Sequence, residues 1–153
     1  MQPASQIEQI LALTDRNVRA WAISRLSPDE DISDKTFGDF VSITLNDLTQ
    51  FLMASPLQTD SFWESYSSRE MPRQSVNGRM MVVPKKGRWM VYYSGNFRTP
   101  PDVETFGSRK EAIERAADKL WVSAMIHLNS AYCMKRQIFP VDSIGTASSA
   151  LLR

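Results

Sequence analysis

The sequence has very little of what small proteins use for covalent or metal-based stabilisation. Among its 153 residues, Cys133 is the single cysteine and His127 is the single histidine. One cysteine excludes an internal disulfide, and one cysteine with one histidine excludes the cysteine-rich zinc sites. We therefore expect no metal in this protein.

Long apolar runs and targeting segments are missing as well. The uninterrupted apolar stretches are a few residues long, whereas a membrane-spanning helix needs about 18 or more. The stretch Met1–Glu8 has neither the basic start nor the apolar block of a secretory signal. We therefore expect a cytoplasmic location and no interaction with a membrane.

The sequence also lacks the motifs of common catalytic sites. It contains no glycine-rich phosphate loop, no Cys-x-x-Cys pair and no His-Glu-x-x-His. His127 lies at the edge of an apolar helical stripe, which favours a packed or hydrogen-bonded structural histidine. Cys133 has no local signature of a nucleophile and is explained equally well as a small buried hydrophobe. The interpretation is a protein without a cofactor that is not an enzyme.

What the chain does have is enough apolar sequence for a core. Hydrophobic residues make up 42% and charged residues 23% of the 153 residues, and about 100 to 200 residues is the usual size of one domain. We predict a single domain over 1–153. Within it we predict a helical part over 1–70, a sheet with a long helix over 78–130, and a loosely held tail over 136–153.

The first half of the chain is typical of helices. Apolar residues recur at helical spacing from Ser5 to Leu26, where Thr14 either separates two helices or decorates one. Thr44 followed by Asp47 resembles a capping box that opens another helix. A further short helix is predicted over 60–67.

The second half changes to strands. Residues 79–83 and 88–94 are rich in Met, Val, Tyr and Trp, and they flank Pro84–Gly87, which has proline and glycine as a tight hairpin requires. A third short strand is predicted over 103–106. These segments predict a small antiparallel three-stranded sheet.

A long helix should follow the sheet. Ser108 and Glu111 form a capping-box pattern, and Glu111 and Arg115 have the spacing of an i,i+4 ion pair. The helix is predicted to reach about Asn129, with one apolar stripe that consists of Ile113, Ala117, Leu120, Ala124 and Leu128. Because the residues after Leu120 are apolar almost all round, we expect that half to be buried on every side, Trp121 and Met125 included. The predicted fold class is α+β: a helical N-terminal half, a small antiparallel sheet, and a long C-terminal helix packed on it.

Charge is distributed unequally along the chain. Residues 1–76 carry six basic and 11 acidic residues, a net charge of −5, and residues 77–153 carry 12 basic and six acidic residues, a net charge of +6. Such a split indicates two faces that attract each other within one fold, one face offered to a charged partner, or simply solvated charge. The candidate partner-binding residues are the acidic Asp29, Glu30, Asp31, Asp34 and Asp39, and the basic Lys85, Lys86 and Arg88 at the predicted hairpin.

One stretch resembles a known class of proteins. The pattern Trp-x-Val-Tyr-Tyr, a loop, then Phe, Ser, Glu-Ala and a helix, over about residues 87–121, resembles bacterial immunity proteins that neutralise polymorphic or contact-dependent growth inhibition toxins. The resemblance implies a small cytosolic α+β protein, usually encoded beside its toxin, that covers the toxin's active site. The acidic residues fit that class, because nuclease toxins present basic grooves to which a carboxylate-rich patch is complementary.

The same order of three strands and a helix is also similar to DNA-binding modules of plant Apetala-type factors and of phage-integrase arm-binding domains. That resemblance implies a three-stranded sheet in the major groove, with nucleic acid as the partner. Alternation along the strand argues against base reading. On the strand face that carries Arg88, Arg88 is the only residue suited to contact a base edge. Nucleic-acid binding is therefore the second interpretation and a protein partner, a toxin, the first.

Overall fold

A computed structural model describes residues 1–15, 17–54, 57–59, 62–65, 78–94 and 102–129. By the density of internal contacts the chain divides into two compact units. The helical unit comprises Met1–Leu13, Asn17–Thr44 and the chain from Lys119, and the sheet unit comprises Thr14–Arg16 and Leu45–Asp118. A single domain over the whole chain stays a prediction, and the predicted tail over 136–153 lies outside the described residues.

The helical unit is built from short elements. They are α1 (Gln6–Leu13), α2 (Val18–Arg25), one 3₁₀ turn (Ile32–Asp34), α3 (Phe37–Phe40) and the end of a long helix, α5 (Arg109–Leu128). Because α1 ends before Thr14, the two alternatives for the first helical stretch are resolved as two separate helices.

A buried glutamine holds α1 in the helical unit. The Gln9 side-chain amide donates to the Ala4 carbonyl and to the Ser42 hydroxyl, each at 3.0 Å. Its carbonyl oxygen accepts from the backbone amides of Ser42 at 2.8 Å and Ile43 at 3.3 Å. Since every polar group of this 2% exposed side chain is satisfied, its burial fixes the position of α1 without leaving an unpaired donor.

The sheet unit confirms the α+β class. It contains α4 (Leu45–Ala54), β1 (Phe62–Glu64), β2 (Met80–Lys85), β3 (Arg88–Tyr93), β4 (Glu104–Phe106) and the first half of α5. The strand order is β1-β2-β3-β4, in which β2, β3 and β4 form the predicted antiparallel sheet. Helix α5 packs on this sheet as predicted. Arg115 of α5 binds Glu104 of β4, and Glu104 is paired across the strands with Val91 of β3, so both residues lie on the sheet face next to α5.

The hairpin between β2 and β3 is as tight as predicted, with the turn shifted toward its glycine. Lys85 pairs with Arg88, so the two-residue turn is Lys86–Gly87, with φ of 52° and 76°. Positive φ at both positions is the type I′ geometry that matches the twist of the strands. Pro84 lies inside β2, beyond the point where pairing with β1 ends at Val82, and there a missing amide leaves no ladder partner unsatisfied.

The helix predicted over 60–67 is wrong. Residues Phe62–Glu64 form β1, which pairs in parallel with Met80–Val82 of β2. The Ser65 amide continues the pairing by donating to the Val82 carbonyl at 3.0 Å. Aromatic residues suit a strand as well as a helix. The segment forms a strand because the edge of β2 offers backbone groups with which it pairs.

Helix α5 begins where the capping pattern predicts. The Glu111 amide donates to the Ser108 hydroxyl at 3.2 Å, and this hydroxyl donates to the Glu111 carboxylate at 3.0 Å. The predicted ion pair between Glu111 and Arg115 is wrong. Arg115 instead binds Glu104 of β4 and Asp118, with nitrogen–oxygen distances of 3.0 and 3.1 Å, because a forked guanidinium gains more from two carboxylates.

The apolar stripe of α5 is buried as predicted, but burial on every side of its second half is wrong. Met125 is 40% exposed, His127 is exposed, and Trp121 is half-buried with its ring 5.0 Å from that of Phe37. An apolar side chain is buried only where another element packs against it. In the second half of α5 only the stripe meets such elements, so only the stripe is enclosed.

Candidate partner-binding surfaces

The five predicted acidic residues lie on one segment, residues 29–39, which we call the acidic segment. It contains the 3₁₀ turn and the start of α3. The carboxylates of Asp29, Asp31, Asp34 and Asp39 are on exposed residues, whereas Glu30 is half-buried. All five therefore belong to the helical unit, but they do not have the same role.

Glu30 is turned inward and holds the segment in place. Its carboxylate accepts from the Ser27 amide at 2.8 Å and lies 2.7 Å from the Lys35 ammonium and 3.2 Å from the Met1 amino group. The bond to Lys35, followed by those to Ser27, lowers the pKa of Glu30 well below its usual range. The glutamate is thus an internal anchor of the segment, and the sequence prediction that it faces a partner has no support from this geometry.

Asp31 and Asp39 cap the two short helical turns. Asp31 accepts from the Ser33 amide at 3.0 Å, which lowers the pKa of its carboxyl. Asp39 accepts from the Thr36 amide at 2.8 Å in a capping box. Such side-chain to backbone bonds fix the local conformation while the carboxylates stay in water.

Asp29 and Asp34 are the two carboxylates that the fold leaves to solvent. Both residues are exposed, and among the described residues neither side chain makes a hydrogen bond or an ion pair. Because their neighbours Glu30 and Asp31 hold the backbone, these two charges are displayed at fixed positions. This is the arrangement that contributes most to long-range attraction of a basic surface.

A small open cleft adjoins the acidic segment at Asp39. Its volume is about 100 Å³, and Trp21, Arg25, Asp39 and Phe40 line it together with residues 1–4. The rings of Trp21 and Phe40 lie 6.4 Å apart at an angle of 58°. The two rings give the cleft an aromatic wall, whereas the indole Nε1 of Trp21 is buried beneath the surface and has no hydrogen-bond partner among the described residues.

The predicted basic residues form a second surface, the hairpin tip, defined as Lys85, Lys86, Gly87 and Arg88. All four are exposed. No described residue makes a hydrogen bond or an ion pair with the side chains of Lys85, Lys86 or Arg88. The tip belongs to the sheet unit, whereas the acidic segment belongs to the helical unit.

The faces of the sheet are closed where a DNA-binding sheet would need them open. On the face opposite α5, Met81, Val83 and Tyr92 are at most 3% exposed and form an apolar cluster with Met90 and Val103. A sheet that reads bases must present polar side chains on an open face. Of the strands β2 and β3, only the hairpin tip is available for such contacts.

The described residues contain one of the two candidates for chemistry that the sequence offers. His127 lies exposed near the end of α5, and Cys133 lies outside the described residues. In the described part of the chain, no three His, Cys, Asp or Glu side chains are grouped so that they could hold a metal ion. Of the helices that the structure describes, none has both the length and the apolar character to cross a bilayer.

Sequence reasoning missed the cleft entirely. Neither Trp21 nor Phe40 is among the candidate residues that the sequence indicates. The two are 19 positions apart, and their meeting depends on how α2 and α3 pack, for which the sequence offers no local signal.

The comparisons with known proteins add no constraint. No protein-family model, no curated protein and no solved structure matches the chain significantly.

Proposed function

We propose that this protein binds a protein partner through the acidic segment and the adjoining cleft, and that it neutralises a bacterial toxin by covering the toxin's active site. The observation that carries the proposal is the presence of two solvent-facing carboxylates, Asp29 and Asp34, on a segment that adjoins an open cleft lined by Trp21 and Phe40. The first feature suits attraction of a basic surface, and the second suits retention of one inserted group.

The two features act on different steps of binding. Exposed charges at the rim of an interface mainly accelerate encounter. A filled cleft mainly slows dissociation, because buried anchors dominate the energy of the formed complex. The resemblance to immunity proteins adds the kind of partner, a toxin with a basic substrate groove, and a cytoplasmic location.

The test begins with the protein encoded beside this one, which the resemblance makes the first candidate partner. We expect a stoichiometric complex and loss of the partner's activity on binding. Association and dissociation are then measured by stopped flow for three proteins: the wild type, Asp29→Asn with Asp34→Asn, and Trp21→Phe.

The carboxylate variant should associate about three- to ten-fold more slowly at low salt, with the difference shrinking as salt rises. Trp21→Phe makes the aromatic wall of the cleft smaller, so dissociation should quicken by about two- to ten-fold, as expected when a buried anchor loses part of its contact. Asp102→Asn with Glu114→Gln is the matched control, because it changes the net charge equally at exposed residues of the sheet unit. A partner whose activity survives saturation, or rates that are indifferent to the first two variants, would overturn the proposal.

Nucleic-acid binding through the sheet, the second interpretation, stays an untested prediction. The closed faces of β2 and β3 give it no support as a base-reading mode.

A further inference from the structure

The hairpin tip breaks two local rules of β-hairpins. Lys86 occupies the left-handed region with φ of 52°, where Asn, Asp and Gly are favoured because a longer side chain crowds the backbone. Lys85 pairs directly with Arg88, and like charges directly opposite each other across two strands repel. An Asn-Gly turn flanked by uncharged residues would form the same hairpin with less strain.

Within the described residues, the side chains of Lys85, Lys86 and Arg88 have no hydrogen bond or ion pair that compensates their charge. Every other described lysine and arginine has a hydrogen bond, an ion pair or an electrostatic interaction; they are Arg19, Arg25, Lys35, Arg79, Arg109, Lys110, Arg115 and Lys119. Among the described residues, no carboxylate pairs with the three cations of the tip. Residues that violate local structural preferences without a compensating contact are expected at positions that bind a ligand.

We propose that the hairpin tip binds the phosphates of a single-stranded nucleic acid. This surface lies in the sheet unit and the inference does not rest on the proposed function. Three cations within one turn suit consecutive phosphates, because Lys85 and Arg88 are a directly opposed pair, with Cα atoms about 5.5 Å apart, and Lys86 extends from the turn between them.

The neighbouring residues favour a single strand over an acidic protein surface. Directly behind the tip, the half-buried Trp89 pairs across the strands with Pro84 and with the half-buried Phe106. Alternation puts these rings on the opposite face of the hairpin from Lys85 and Arg88, so a flexible single strand that crosses the tip places phosphates on the cations and stacks a base on a partly exposed ring. The closed sheet faces remove the alternative of insertion into a duplex groove, so binding should depend on phosphate and stacking rather than on sequence.

The experiment is fluorescence anisotropy with a labelled 15-nucleotide oligothymidine between 20 and 200 mM salt. Three phosphate contacts predict a salt slope of about −2, since each contact on a single strand contributes about −0.7. Affinity should therefore fall roughly 100-fold over this range. Lys85→Gln with Lys86→Gln should weaken binding at least ten-fold at 20 mM salt and reduce the slope to about −0.7.

Arg19→Gln with Lys110→Gln is the matched control, because it removes the same net charge from exposed residues away from the tip. Equal losses in the control and the tip variant would show that only net charge matters and would refute the inference. Lys86→Asn separates binding from folding: it should stabilise the turn and still weaken binding several-fold. A variant that is more stable and binds as well as the wild type would also refute it.

Two further probes identify the anion. An abasic oligomer of the same length should bind at least five-fold more weakly, because it keeps the phosphates and loses the stacking worth about 1–3 kcal/mol per base. Equal affinity would remove the role of bases. If polyaspartate of equal charge binds as tightly as oligothymidine, the tip is a site for an acidic protein and the nucleic-acid assignment is wrong.

Discussion

Loss of Arg109 should strongly destabilise the sheet unit. Its guanidinium lies at the start of α5 and makes bonds to two other segments. Nη2 donates to Glu64 of β1 at 3.1 Å and Nε to the same carboxylate, while the carbonyls of Leu52 and Met53 at the end of α4 accept at 3.0 and 2.9 Å. The arginine thus joins α4, β1 and α5, and it places positive charge where the α4 carbonyls concentrate negative charge.

The magnitude follows from what Arg109→Met would leave behind. The Glu64 side chain is only 4% exposed, so its carboxylate would be buried without its cation, a situation that costs about 3–5 kcal/mol. The arginine itself is 28% exposed, so water can reach part of the site. We therefore expect the lower end, about 3 kcal/mol. The double variant with Glu64→Met should cost about 2 kcal/mol less than the sum of the single variants, because no charge is then stranded.

The assay is urea denaturation followed by far-ultraviolet circular dichroism, with two matched controls on the same helix. Arg115→Met should cost about 1 kcal/mol, since its partners Glu104 and Asp118 are 35% and 42% exposed. Lys110→Met breaks only an exposed i,i+4 pair with Glu114 and should cost about 0.3–0.5 kcal/mol. If Arg109→Met costs no more than Lys110→Met, the bonded cluster does not hold the unit together and the reasoning is refuted.

Four further outcomes follow from single side chains. Trp121→Ala should cost about 2 kcal/mol in urea denaturation, below the range of a fully buried tryptophan because the ring is half-buried; a cost above 4 kcal/mol would mean that the ring is enclosed. Lys86→Asn should raise the free energy of unfolding by about 0.5–1 kcal/mol, because asparagine suits positive φ, and a lower value would contradict the strain argument. Burial raises the pKa of Tyr93 to about 12. The stability that this burial contributes is complete below the unfolded pKa of about 10 and is lost as pH rises toward 12. Tyr93→Phe should remove one late-titrating phenol from the absorbance titration at high pH. Because the pKa of Glu30 is lowered, its contribution to stability is present above about pH 4.5 and is lost as pH falls below that value. Glu30→Gln should flatten this acid dependence, measured by amide exchange of the acidic segment. An unchanged profile would show that the Glu30 ion pair does not hold the segment.

Patterns that depend on neighbours in sequence were readable in advance. Ser108 and Glu111 lie within one turn, and the capped start of α5 depends on nothing else. The β2–β3 hairpin likewise follows from a glycine between two strand-forming segments. The buried stripe of α5 has the helical period in the sequence itself. These local signals were enough for the α+β class and for the order of the antiparallel strands.

The tertiary structure decided which competing local preferences prevailed. Phe62–Glu64 became a strand because the edge of β2 was free to pair, and Glu64 then received Arg109 from a distant helix. Five neighbouring carboxylates look alike in the sequence. Only the fold separates Glu30, which its ion pair with Lys35 turns inward, from Asp29, which stays in solvent. Burial and pairing are properties of neighbours in space, and for residues far apart in sequence these neighbours exist only once the chain has folded.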